Sequence, residues 1–109
     1  MITLKTLHEA TPMEVFQQAK SHLLTQKAKS TRNAICAYRG ENGTKCAAGC
    51  LIGDDEYSFD LEYKSWKTLL SYRKIPTNHY DLILKLQRIH DSHPPEDWEV
   101  LLNDLEKTL

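Results

Sequence analysis

One stretch constrains this chain more than any other. Ile35 to Tyr57 reads I-C-A-Y-R-G-E-N-G-T-K-C-A-A-G-C-L-I-G-D-D-E-Y and carries all three cysteines and all four glycines of the chain. Glycine allows backbone conformations and close approaches that other residues disfavour. Asn42-Gly43 between apolar runs is the strongest short-range hairpin signal. A continuous helix through this stretch is therefore excluded. The flanking segments read as amphipathic helices, so the fold must wrap helices around an irregular centre.

Within that centre, Ile35–Arg39 is expected as one strand and Lys45–Ala47 as its returning partner. A two-residue Asn42-Gly43 loop sets Arg39 opposite Cys46. A longer Gly40–Gly43 loop sets it opposite Thr44, and each one-step slip exchanges the faces. Ala47–Ile52 is expected as a short buried helix with Gly53 at its C-cap. Gly49 inside it costs about 1 kcal/mol against Ala, which close approach of another backbone would offset.

Before this stretch, Leu4–Ala10 is a strand or a loose lead-in. Thr11-Pro12-Met13-Glu14 matches a capping box with Pro at the first helical position. Val15, Phe16, Ala19 and Leu23 then form one helical stripe to about Lys27. Lys27–Asn33 is a basic connector without periodicity, and Ser58–Glu62 reads as loop. Tyr63, Trp66, Leu69 and Leu70 suit a short helix. Asn78 with Asp81 resembles a further N-terminal cap. His79, Leu82, Ile83, Leu86, Ile89 and His90 form the stripe of that helix to about Ser92. Pro94-Pro95 breaks it and starts the last one, whose apolar face is Trp98, Leu101, Leu102, Leu105 and Leu109.

With 109 residues the chain is expected to form one domain, residues 1–109. A chain of this size buries roughly 65% of its unfolded surface, enough for one core without staples. No apolar run approaches the roughly 20 residues of a membrane span, and the N-terminus shows no signal-peptide core. An odd cysteine count points to a reduced, cytosolic protein. A net charge of −1 argues against a general nucleic-acid binder. Residues 1–50 nonetheless carry a net +4 and residues 51–109 a net −5. The halves either neutralise each other on packing or leave an acidic face for a basic partner.

Cys36, Cys46 and Cys50 with His90 form the candidate metal set, since Cys46-x3-Cys50 fits a zinc knuckle. Ala47, Ala48 and Leu51 around them favour thiols that simply fill a core. A cysteine nucleophile needs a base in reach, and none of the five histidines is placed beside a thiol by spacing. Asp54, Asp55, Glu56, Asp60 and Glu62 suggest a calcium loop, but Phe59 and Ser65 stand where an EF-hand needs Gly and Glu. Tyr38, Arg39 and Lys45 could touch a nucleic-acid backbone, although one aromatic makes no stacking platform.

Tyr38-Arg39-Gly40, Lys45–Ile52 and Asp54–Tyr57 together resemble a family of short phage and prophage proteins with a C-x-Y-R-G…K-C-A-x-G-x-L-I-x-D-E-x-Y segment. Leu86–Asp91 followed by Trp98, and Val15-Phe16 with His22-Leu23-Leu24, extend the resemblance over most of the chain. It implies a phage or bacterial origin and carries over no catalytic residue. Asp54-Asp55 before Glu56 lengthens the acidic cluster relative to the family pattern.

The expected fold is α+β, mostly helical, with four to five helices around one small antiparallel hairpin. The expected function is non-enzymatic: a phage-type accessory protein of the bacterial cytoplasm that binds a protein and needs no cofactor. Nucleic acid and membrane are not expected partners. The expected contact residues are Arg39, Lys45, Asp54, Asp55 and Glu56. A Cys/His metal module, a small cysteine enzyme and a nucleic-acid binder acting through the hairpin remain as alternatives.

Overall fold

The computed structural model describes residues 1–109. The fold is α+β, with four α-helices and one two-stranded antiparallel sheet: α1 Pro12–Gln26, β1 Thr31–Arg32, β2 Ile35–Cys36, α2 Trp66–Ser71, α3 Tyr80–Ser92 and α4 Trp98–Glu106. Single 3₁₀ turns at Leu7–Glu9, Glu41–Gly43, Gly49–Leu51, Phe59–Leu61 and Pro95–Asp97 punctuate the connections. No helix is long and apolar enough to cross a membrane.

Helices α1, α3 and α4 pack pairwise, and α1 also rests on the Gly49–Leu51 turn. The capping box of α1 forms in full: Glu14 N donates to Thr11 Oγ1 at 3.1 Å and Thr11 N to Glu14 Oε1 at 2.8 Å. Val15, Phe16, Ala19 and Leu23 face inward, and Lys27 ends the helix in the left-handed region. In α3 the stripe Leu82, Ile83, Leu86, Ile89 and His90 is buried. Its entry differs from the expected Asn78 cap. His79 occupies the cap position at φ 59° without a side-chain cap bond, because its Nε2 is engaged by Ala10 O at 2.8 Å. Tyr63 likewise falls outside α2. Ser65 caps that helix, and its Oγ accepts from Thr68 N at 3.1 Å.

The core cluster contains Val15, Phe16, Leu23, Cys46, Leu51, Ile52, Trp66, Leu82, Leu86, Ile89, Trp98 and Leu102, while Leu70 and Leu105 sit at its edge. Leu7, Leu61 and Ile75 are also buried. Helical periodicity does not reveal these three, because each lies outside the four α-helices.

The hairpin turn forms nine residues upstream of its expected position, at 33–34 rather than 42–43. Thr31 pairs with Cys36 and Arg32 with Ile35. The turn is Asn33-Ala34, with both residues at positive φ (54° and 66°), as a two-residue type I′ turn requires. The basic connector thus supplies a strand. The Asn42-Gly43 segment does reverse the chain, through Asn42 at φ 60° and Gly43 at φ 72°. It closes only an isolated bridge, Arg39 to Lys45, supported by Gly40 N donating to Thr44 O at 2.9 Å. The register is neither of the two expected. Around the bridge, Tyr38 N donates to Glu62 and Lys45 N to Gln26 instead of to a partner strand.

Ala47–Ile52 is buried apart from half-buried Cys50, but it holds a single 3₁₀ turn rather than a helix, and Gly53 is not left-handed. Gly49 sits against the backbone of Tyr38: a Cβ there would overlap Tyr38 O and lie 2.9 Å from Tyr38 C. The overlap is with main chain, so a rotamer change cannot relieve it. Gly49→Ala is expected to lower stability by roughly 2–4 kcal/mol, measured by urea unfolding. A variant as stable as the parent would mean that this approach is not enforced.

Candidate functional site

Three of the polar residues singled out by sequence meet on one face. Asp54 Oδ1 is 2.8 Å from Arg39 Nη1 and 3.9 Å from Lys45 Nζ, and the Asp54 side chain is 87% exposed. Arg39 is held from behind: its Nη2 donates to Ile52 O at 2.9 Å and its guanidinium lies 4.7 Å from the Tyr57 ring centroid. Asp55 pairs instead with Lys5 at 2.9 Å. That contact holds the Asp55 carboxyl below, and the Lys5 ammonium above, their ordinary pKa values. Both side chains are largely exposed, so the pair contributes little to stability.

Glu56 is not free for a partner. Its carboxylate accepts from Leu4 N (3.0 Å), Lys5 N (2.9 Å) and Gly53 N (2.7 Å), pinning the N-terminal segment to the centre of the chain. Glu62 does the same from a deeper position. Only 3% exposed, it accepts from Tyr38 N at 2.9 Å, Arg39 N at 3.0 Å and the Tyr57 hydroxyl at 2.6 Å. Two of the five clustered acidic groups therefore point at backbone amides rather than at a shared cation. Glu62 was legible in the sequence only as one more acidic residue in a loop.

The cysteines separate. Cys46 is fully buried, and its Sγ accepts from Gly49 N at 3.3 Å. Burial raises its pKa far above the usual thiol value. The Cys50 thiol donates to Ala47 O at 3.1 Å and is pushed up to about 12, chiefly by burial. Neither joins the expected metal set. The side chains close enough to share one ion are Cys36, His90 and Asp91, whose ligand atoms lie within 4.8 Å of one another.

Sequence reasoning missed Asp91 as a member of this cluster, and the hydrogen bonds of His90 decide what it can do. The ring is wholly buried and stacks on Trp98 at 5.4 Å. Nε2 accepts from Ser30 N at 2.9 Å, so the proton sits on Nδ1, which donates to Asp91 Oδ1 at 2.7 Å. A ligating histidine normally donates its other N–H to a nearby carboxylate or carbonyl oxygen; here that nitrogen is itself an acceptor. Binding a cation at Nδ1 would orphan a buried amide. Neither ring nitrogen is left free for a bond from Cys36, since Nδ1 faces Asp91 and Nε2 faces Ser30 N. Burial first, then the Asp91 charge, raise the Cys36 pKa, so the group is a thiol at neutral pH.

Cys36 and Asp91 line a groove of about 660 Å³ between β2, the 63–66 segment and the outer stripe of α3 (Leu84, Gln87, Arg88, Asp91). This volume is in the range of ligand pockets. Ile35 and Tyr63 stand at its rim, 52% and 51% exposed. Phe59 packs edge-on against Tyr63 at 5.9 Å and is itself exposed. Arg88 is exposed and makes no ion pair or hydrogen bond. A larger groove of about 980 Å³ lies between α1 and the Asn42–Lys45 turn, and three of its twelve lining residues are hydrophobic.

No protein-family model matches the chain, and no curated protein or solved structure matches it.

The buried thiols give a signed pH dependence. A group whose pKa is raised by folding stabilises fully below its unfolded value, here about 9 for Cys46, and that contribution is lost as pH rises above it. Each fully buried thiol accounts for up to about 1.4 kcal/mol per pH unit in that window. Urea unfolding at pH 8 and pH 10.5 should therefore show a steeper alkaline loss for the parent than for Cys46→Ala. Equal losses would contradict a core-buried, protonated thiol.

Proposed function

We propose that the protein is a non-catalytic binding module that engages another protein through the groove beside β2. One observation carries this reading: Ile35, Phe59 and Tyr63, three large apolar side chains, lie exposed at and beside a groove in which both ring nitrogens of the neighbouring His90 are held by internal hydrogen bonds. Clustered exposed apolar groups mark interaction sites far more often than scattered ones do, and aromatic side chains with an arginine are the usual anchors of protein interfaces. The Arg39–Lys45–Asp54 face, with its charges internally paired, suits the polar margin of such an interface better than its centre.

The resemblance to short phage and prophage proteins supports reading the module as an accessory protein of a bacterial cytoplasm that modulates or inhibits a host component. That context is an analogy; the groove is the physical support.

The test compares capture from bacterial lysate by the parent and by an Ile35→Asp/Tyr63→Ala variant, after confirming equal thermal stability. A saturable partner retained by the parent and weakened at least tenfold by the variant is expected. No saturable partner, or equal capture by both proteins, would overturn the reading.

A further inference from the structure

We infer that the outer edge of β2 receives an extended peptide segment of the partner protein as an added strand. The inference rests on the binding reading above and names the form of the partner. Ala37 N donates to Ser30 O at 3.0 Å, so Ser30 and Ala37 belong to a hydrogen-bonded position of the ladder. In an antiparallel pair such positions alternate with non-bonded ones, where both backbone groups point away from the partner strand. Thr31 and Cys36 occupy that alternate position. The N–H and C=O of Cys36 therefore point outward from β1.

The next outward amide is Tyr38 N, and it is filled by Glu62. Tyr38 also donates its hydroxyl to Lys64 O at 2.6 Å. These contacts place the 62–66 segment along the outer edge of β2, and the groove continues along that same edge to Cys36. The result is an edge closed at one step and open at the adjacent one. An extended backbone supplies a donor and an acceptor together at strand spacing, which is the basis of recognition by strand addition. The exposed end of β2 is two residues long, so the pairing supplies register more than affinity. Side-chain contacts must add the rest: an apolar group against Ile35 and Tyr63, and an acidic group toward Arg88, which makes no ion pair within the chain.

The experiment uses the full chain and a displayed library of random eight-residue peptides. Expected is enrichment of peptides with apolar residues and an Asp or Glu. Bound to one of them, the protein should show at least tenfold slower amide hydrogen exchange at Cys36, with Tyr38 unchanged because Glu62 already protects it. Arg88→Glu, an exposed substitution, should weaken binding at least tenfold, while Cys36→Ser should retain it because the contact is main-chain. Failure of any peptide to enrich would overturn strand addition. So would peptides that bind without slowing exchange at Cys36, though loss of those peptides in the Ile35→Asp/Tyr63→Ala variant would leave the groove-binding reading intact.

Discussion

The central half of this structure depends on one carboxylate. Between α1 and α3 the chain has two short strands and six residues of α-helix, too little regular hydrogen bonding to hold itself in place. Glu62 supplies what is missing. Its two oxygens take the consecutive amides of Tyr38 and Arg39, and one also takes the Tyr57 hydroxyl. Hydrogen bonds from an ionised acceptor are about twice as strong as neutral ones, and a buried carboxylate left without donors would be prohibitive. The three donors and the acceptor thus require one another. Around this point the remaining constraints follow: Tyr38 tilts against Trp66 at 6.0 Å, Gly49 closes on the Tyr38 backbone, and Arg39 is laid over Tyr57. Glu56 repeats the device at the surface to fasten the N-terminal segment.

The helices were legible in the sequence and the centre was not, for a physical reason. Helix α1 follows from a capping box and a stripe at helical spacing, both local patterns. The same holds for the apolar stripes of α3 and α4. In Ile35–Tyr57 the deciding contacts are not local: Glu62 takes the amides of Tyr38 and Arg39 from 24 and 23 residues away, and Gly49 closes on the Tyr38 backbone. Asn42-Gly43 forms its turn, but beyond the Arg39–Lys45 bridge the Tyr38 amide bonds to Glu62 rather than to a partner strand. The two-stranded sheet formed instead across Asn33-Ala34, where an alanine accepts φ 66°. An alanine there hides the turn from composition, because glycine is the residue that signals it. Gly49 is the converse case: a glycine with no local purpose in a small-residue run correctly implied a close backbone neighbour.

The candidate site shows the same division. Arg39, Lys45 and Asp54 were found by sequence and do meet, whereas Asp55 and Glu56 face the N-terminal segment. The groove beside β2 assembles Ile35, Tyr63, Arg88 and Asp91 from three separate segments, and no spacing rule joins them. Cys36 belongs to it through its backbone more than its thiol. The structural thiols Cys46 and Cys50 and the doubly bonded ring of His90 give this region a rigid support, which is what a binding edge needs.

The most direct measurement on this account is the stability of Glu62→Gln against Asp60→Asn in urea. Each oxygen of Glu62 accepts a separate backbone amide, so the amide side chain, whichever way it turns, sets its NH₂ group against a buried N–H. A loss of about 2–3 kcal/mol is expected for Glu62→Gln, with Asp60→Asn, an exposed neighbour, within about 0.5 kcal/mol of the parent. Equal stability of Glu62→Gln and the parent would contradict the claim that this carboxylate holds the centre of the fold.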